Sequence, residues 1–587
     1  MERKMNYKPF AIFLGICFSI FSAQAQEDDP IGTQTVNVVK AYSPTVGDAV
    51  KIKSTPQVGD SVTLQKKPVQ YSIFSVPVAS TFTPAKGKAS GVKKRRPEKQ
   101  YDSYASVGLG NYNNALVDFY TSAAIDRDSR LDVGLNHHSS RGAVDGVVLD
   151  NDFYNTSLNA AYARQDRYMG WGIEGGFTHK IYHWYGVLDD TFPEGTLDGV
   201  SGKQSYYNAQ LGGNLKWDDA VIKEGKVLLR RFWDGSESGE NRAMIAPVFE
   251  LPIADELFTI EVKADYVGGQ MGANSLNASE NLGTVDYHAM QFGVSPGITI
   301  LRDELTLNLG AKLLYGDDSF GESGGFYIYP DITASFRISG DNVIAYGGLQ
   351  GDLEQNSYFD YVNENPYVSP TLTMSPTDRQ YLGYAGLKGQ LLPNLSYDVR
   401  GSYSAENRKP LFLLNPTNAF RQPAEEYTFG NSFQVFYDDV RTFGVRGALS
   451  LDVARDFTLG AQVDYNTYDT ETDNPAWNLP EIQAKVWFDY QMGEQWFFGG
   501  QLFYVGERDD LEAVVVESGN PAEFPANIIT LDAYLDANLH AGYRFNNQLS
   551  IFVKGSNLAG DYQKWARFPT QGLQVLAGAT YKFDMFQ

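Results

Sequence analysis

Cysteine is all but missing from this chain: Cys17 is the one cysteine in 587 residues. It lies in the apolar stretch 10–21, which follows Arg3, Lys4 and Lys8 and precedes Ser22-Ala23-Gln24-Ala25-Gln26. Basic, then apolar, then small residues make a secretory signal, cut after Ala25. Leu14-Gly15-Ile16 lacks the small residue that a lipid-attachment cysteine needs beside it. The mature chain therefore has no thiol, which excludes structural disulfides and thiolate metal sites. Long apolar runs are lacking too. The signal stretch is too short to span a bilayer as a helix, and nothing later supplies the roughly eighteen uninterrupted apolar residues that a helical span needs.

Positive charge is scarce: 48 Lys+Arg stand against 71 Asp+Glu, a net charge of -23. The imbalance is segregated along the chain. Residues 26–100 hold 12 Lys+Arg and 6 Asp+Glu, whereas 101–587 carries a net charge of -31. An acidic body cannot neutralise phosphates, so nucleic acid is excluded as a partner. What the chain has in quantity is 37 Tyr, 35 Phe and 57 Gly, a composition that favours strands and bends within strands.

The stretch 26–100 has isolated strand-like pieces and no sustained amphipathic period, and reads as an extended periplasmic tail. It ends in Lys93-Lys94-Arg95-Arg96, ahead of the first strong strand near Tyr101. Those four cations, with the apolar piece carrying Tyr71, Ile73, Phe74 and Val76, are the candidate partner-binding residues. A solvated spacer is the plainer account of the basic cluster, and contact with lipid or an acidic periplasmic surface is the other.

From Tyr101 onward the period is two. In 531–545 one face is Leu531, Ala533, Leu535, Ala537, Leu539, Ala541, Tyr543 and Phe545, and the other is Asp532, Tyr534, Asp536, Asn538, His540, Gly542 and Arg544. Apolar-out, polar-in alternation over such a length suits a strand between lipid and lumen. The pattern recurs at 305–315, 443–453 and 457–465. Tight polar turns at 126–129, 165–167, 302–304, 339–342, 393–394, 454–456 and 546–548 alternate with long acidic loops near 181–202, 270–283, 352–377, 406–431 and 508–527. Short turns at one end and long loops at the other are the signature of a transmembrane barrel. The expected architecture is all-β: an antiparallel transmembrane barrel of about 22 strands over 101–587. The ambiguous stretch 218–256 leaves 20 possible. A Gram-negative outer membrane is the expected location, with outer-membrane lipids as partners.

The stretch 539–583, with Gly542-Tyr543-Arg544-Phe545, Asn546-Asn547-Gln548-Leu549-Ser550-Ile551-Phe552-Val553-Lys554-Gly555, Asn557-Leu558 and a last strand ending Thr580-Tyr581-Lys582-Phe583, resembles the end of TonB-dependent receptor barrels, particularly those of Bacteroidetes. Asn365-Pro366-Tyr367-Val368-Ser369-Pro370-Thr371 is similar to a loop segment of that family. The resemblance implies a nutrient receptor. Such receptors carry a globular plug ahead of the barrel, and nothing in 26–100 looks like one. Four residues also follow Phe583, where the family's chains end on the strand.

A lumen bounded by about 22 strands is far wider than side chains can fill. The acidic loops, the tail or another protein must therefore block it. Two functional readings follow: a transporter gated by its loops with a surface lipoprotein partner, or a plug-less scaffold of an assembly or secretion complex whose tail docks a periplasmic partner. Enzymatic motifs are weak. Gly293-Val294-Ser295-Pro296-Gly297 fits the nucleophile-elbow pattern but has Pro296 beside the serine and no helix after it. His137, His138, His179, His183 and His540 pair with no serine in a recognisable motif, so no catalytic residues and no cofactor are expected. Asp189-Asp190, Asp317-Asp318 and 469–473 are acidic without the regular spacing of a calcium loop. Tyr168, Trp171, Tyr182, Trp184, Tyr185, Trp496, Phe497 and Phe498 lie near expected strand ends, where anchoring at the membrane interface is their default role.

Overall fold

The structure, a computed structural model, describes residues 99–585 apart from 189–191, 193–194, 219, 254–255, 273–283, 321–323, 418–424 and 514–525. The candidate tail residues Tyr71, Ile73, Phe74, Val76, Lys93, Lys94, Arg95 and Arg96 lie outside the described residues, as does the signal stretch.

The described residues form one 22-stranded antiparallel sheet, each strand paired with its neighbours in sequence. The first strand, Ser103–Gly110, pairs with the last, Gln574–Phe583, in an unbroken register from Ser103 opposite Phe583 to Gly110 opposite Leu576. The sheet is thereby closed into a barrel. Backbone polar groups cannot be left unpaired in hydrocarbon, so closure is the condition for such a sheet to span a membrane. The upper figure of the expected strand count is the observed one, and 218–256 forms two strands, Ile222–Asp234 and Gly239–Ile253.

Ten connections of two to four residues sit at one end of the barrel, together with both ends of the sheet. Eleven connections of four to 28 residues sit at the other. By the rule for such barrels the first end is periplasmic and the second extracellular. The expected turns at 302–304, 393–394 and 454–456 fall at the short end, the first between strands Val285–Arg302 and Leu305–Asp318. Ser295 therefore lies inside a strand with no helix after it.

Glycine and aromatic residues are abundant for one shared reason. On the lumen face, aromatic rings lie across a glycine directly opposite on the next strand: Trp487 over Gly460, Phe497 over Gly542, Phe552 over Gly578 and Tyr384 over Gly348. Any side chain at these glycines would occupy the space of the ring. Outward, the alternate residues are apolar and exposed, as Leu535 and Leu539 are, in the phase read from 531–545.

Strands Leu395–Leu414 and Phe433–Ala454 have 20 and 22 residues, about twice the 9–11 that cross a bilayer. They stay paired to Leu414 opposite Phe433. This hairpin rises beyond the membrane on the long-loop side and gives the loops a wall to pack against.

Candidate functional site

The largest buried core is not in the barrel wall but among the long loops. Residues from 141–152, 184–202, 355–376, 415–432, 506–533 and 557–573 contribute to a single hydrophobic cluster with the upper ends of several strands. Its centre is the connection 355–376.

Here Ser357, extended at φ -148°, starts the short helix Tyr358–Glu364 by accepting a hydrogen bond from the Asp360 N–H. The helix stops at Asn365 because a residue followed by proline is driven away from helical geometry. Tyr358, Tyr361 and Val362, spaced to share one helix face, are buried. Each is fixed by the wall behind it. The Tyr358 hydroxyl donates to Asp234 Oδ2 at 2.8 Å, and its N–H donates to Glu240 Oε2 at 2.6 Å. Arg230 Nη2 donates to Ser357 Oγ at 2.9 Å and lies 3.4 Å from Glu240 Oε1, with its guanidinium over the Phe359 ring. Tyr361 and Tyr437 share a hydroxyl hydrogen bond of 2.9 Å.

The segment after the helix, singled out in the sequence at Asn365 to Thr371, lies at the middle of the packed loops. Tyr367 stacks on Phe568 with ring centroids 3.9 Å apart and meets Tyr185 edge-on. Phe568 also packs against Phe433, and Trp565 against Phe412 and Phe433. Backbone groups are met by side chains from distant parts of the chain: Trp184 Nε1 donates to Tyr367 O, the Tyr206 hydroxyl to Pro366 O, the Tyr185 hydroxyl to Pro569 O, and Asn431 Nδ2 to Trp184 O. Burial pushes the Tyr358, Tyr361 and Tyr367 hydroxyls far above the ordinary tyrosine range, and Tyr185 up to about 12. These hydroxyls stay neutral and act as hydrogen-bond groups.

Trp184 and Tyr185 correct an expectation. Read as interface anchors, they are 2% and 7% exposed and point into the loop core. Phe497 also faces inward, stacked across Gly542, whereas Trp496, at 43% exposed, has the outward position of an anchor. Trp184 and Tyr185 follow directly on the strand Met169–His183, so proximity to a strand end could not separate a girdle residue from a loop residue turning inward.

A second polar cluster ties the hairpin Arg508–Ala513 and Ala526–Leu531 into the same cap. Arg567 donates to Thr417 Oγ1 at 2.9 Å, to Gly430 O at 3.0 Å and to Glu512 Oε1 at 2.7 Å. Asp510 is fully buried; it accepts from the Leu414 and Leu511 N–H groups and from Asn478 Nδ2. Its desolvation outweighs those bonds and raises its carboxyl to about 6.

The other candidate residues are dispersed. Asp318 pairs with Arg408 at 3.2 Å, and Asp317 accepts from the Gly324 N–H. Asp189 and Asp190 lie outside the described residues. Among the described residues no three His, Cys, Asp or Glu side chains converge on one point where a metal ion could sit. His179 lies within a strand and stacks on Tyr207, His137 bonds to Thr156 and Ser139, and His540 lies against Phe497. Below the loops, a recess of about 150 Å³ on the lumen wall is lined by Arg400, Ser402, Arg446, Asp464, Asn466 and Gln483, with Arg446 and Asp464 ion-paired.

Residues 411–558 match the family model described as TonB dependent receptor-like, beta-barrel. No curated protein matches the sequence. Among solved structures the chain is similar to the ferripyoverdine receptor of the outer membrane of Pseudomonas aeruginosa, at TM-score 0.60 and 13% identity over 84% of this chain and 73% of that one. It is similar to the siderophore receptor PirA from Acinetobacter baumannii, at 0.60 and 13%, over 82% of this chain and 81% of that one. The FrpB iron transporter from Neisseria meningitidis aligns at 0.61 and 8%, over 83% and 82%. At such identities the likeness is one of fold.

Proposed function

We propose that the chain is an outer-membrane transporter or receptor with a barrel of the TonB-dependent type, whose extracellular mouth is shut by its own loops. The loop core carries this reading. A lumen bounded by 22 strands would admit solutes freely unless something fills it, and the loops that converge on Tyr367, Phe568 and Trp565 are packed as a protein interior is packed. A surface that only displayed loops to solvent would not bury Tyr358, Val368 and Phe433 completely. The likeness of 411–558 to receptor barrels supports transport, and a nutrient is the class of cargo this implies.

The test is conductance in planar bilayers. The wild-type protein is expected to be silent. A variant with 355–376 replaced by a short Gly-Ser linker is expected to open a steady pore and to sensitise cells to antibiotics too large for the outer membrane. Steady conductance by the wild type would show that the loops do not close the mouth.

A further inference from the structure

The barrel wall has a seam that the closed sheet otherwise avoids. Strand Gly325–Ser339 pairs with strand Leu305–Asp318 up to Gly325, but with strand Val343–Glu354 only from Asp331 opposite Gln350 downward. Among the described residues, 325–330 thus have a strand on one side and none on the other. The cause lies in the next strand, whose register shifts between Gln350 and Asp352 as it bends inward at Gly351. Leu353 then lies over Gly316, two strands away, and is buried against Leu314 and Tyr329. Lys312 Nζ reaches Asp352 Oδ2 at 2.8 Å, and the Tyr329 hydroxyl donates to Asp378 Oδ1 at 2.7 Å. The bent strand covers the seam from the lumen with a polar lip.

Where pairing ends early at another seam, loop backbone takes over: above strand Leu549–Ser556, the Leu558 N–H donates to Ala537 O and the Ala559 N–H to Asp536 Oδ1. Among the described residues no such backbone hydrogen bond reaches 325–330. The outward side chains register the gap. Phe326 and Ile328, 87% and 76% exposed, are the most exposed large apolar residues described, above any neighbour that keeps strands on both sides.

Phe326 stands in register with Tyr315 and Phe292, three aromatics side by side at the extracellular end of the apolar band. This is the level of the outer girdle, so Ile328 lies in outer-leaflet hydrocarbon. Water is absent at that depth, and an open strand edge there is costly. Among the described residues nothing covers it from outside, and what surrounds it at that depth is lipid. We propose that an outer-leaflet lipid inserts an acyl chain at this seam against Phe326 and Ile328. The seam is then a lateral path between bilayer and lumen for an acyl-chain amphiphile. The inference rests on the reading that the loops close the mouth, which leaves the wall as the remaining exit on that side.

Photocrosslinking in native outer membranes tests it. Tyr327 points into the barrel behind the seam, and Trp487 points into the barrel over Gly460, six strands further round. With Tyr327→p-benzoylphenylalanine, ultraviolet light is expected to give a phospholipid or glycolipid adduct by mass spectrometry, severalfold above Trp487→p-benzoylphenylalanine, because annular lipid reaches neither position through an intact wall. Equal yields at the two positions, or an adduct to a protein at 327, would overturn the proposal. Should the 327 variant fail to show the heat-modifiable mobility of a folded barrel, Ile328→p-benzoylphenylalanine against Ile332→p-benzoylphenylalanine decides: excess lipid at 328 supports the seam and equal labelling overturns it. A silent wild-type channel with no adduct at 327 would retain the closed mouth and discard the lateral path.

Discussion

Asp510 shows how a single residue couples the cap to its surroundings. It is a carboxylate with no exposed surface, held by two backbone N–H groups and Asn478, and its carboxyl is raised to about 6 by desolvation. The folded cap therefore holds this proton more tightly than the unfolded chain does. The contribution to stability is fully present below the unfolded value near 4, is lost as the pH rises toward about 6, and is absent above it. Linkage sets its size at no more than about 3 kcal/mol. Hydrogen exchange in 508–513, corrected for intrinsic rates, is expected to slow between pH 7 and pH 5, and Asp510→Asn to flatten that dependence. A wild-type profile without slope would refute the burial of a titrating group here. Nothing at position 510 in the sequence announces this, because it depends on Leu414 arriving at the end of a strand and Asn478 from another connection.

The strand is the element most legible in the sequence. Leu535, Leu539 and Phe545 fall on the outward face in the phase read from their alternation, since lipid on one side and a polar lumen on the other impose a strict period of two. The pattern blurs at 222–253, where Lys223, Lys226, Arg230 and Arg231 place cations on both faces and Pro247 and Pro252 interrupt the run. Partners drawn from the upper wall, such as Glu240 for Arg230, account for part of that disorder. The one described α-helix was not legible, because seven residues inside an acidic loop carry too little periodicity. Its formation depends on Ser357, which caps the first turn and also meets Arg230. Ser357→Ala removes both contacts. By the usual value of such a cap it costs about 0.5–2 kcal/mol, and more where Arg230 is left facing an apolar methyl. Amide exchange over 358–364 is expected to rise while the folded, heat-modifiable band persists. Unchanged exchange would mean that Tyr358 and Tyr361 alone hold the helix in place.

At the scale of the whole molecule, everything depends on the first strand finding the last, whose paired residues lie 466 to 480 positions apart, from Gly110 opposite Leu576 to Ser103 opposite Phe583. The cap contacts also join distant parts of the chain, 384 residues apart for Tyr185 and Pro569 and 183 for Trp184 and Tyr367, which is why the sequence did not disclose which loops meet. Closure is most sensitive where strands have the least room. Gly578 stands opposite Gly108 across the closing seam, and the Phe552 ring from the strand on its other side lies over it. A side chain at 578 would meet the Val107 carbonyl and that ring together, and backbone on one side cannot give way. Gly578→Val is therefore expected to block closure rather than merely loosen packing, with the heat-modifiable band lost and the chain degraded in the periplasm. Leu535→Ala, a change of the same three carbons on the lipid face where acyl chains refill the space, should leave assembly intact. If Gly578→Val assembles as the wild type does, the ring-over-glycine arrangement does not govern how this barrel closes.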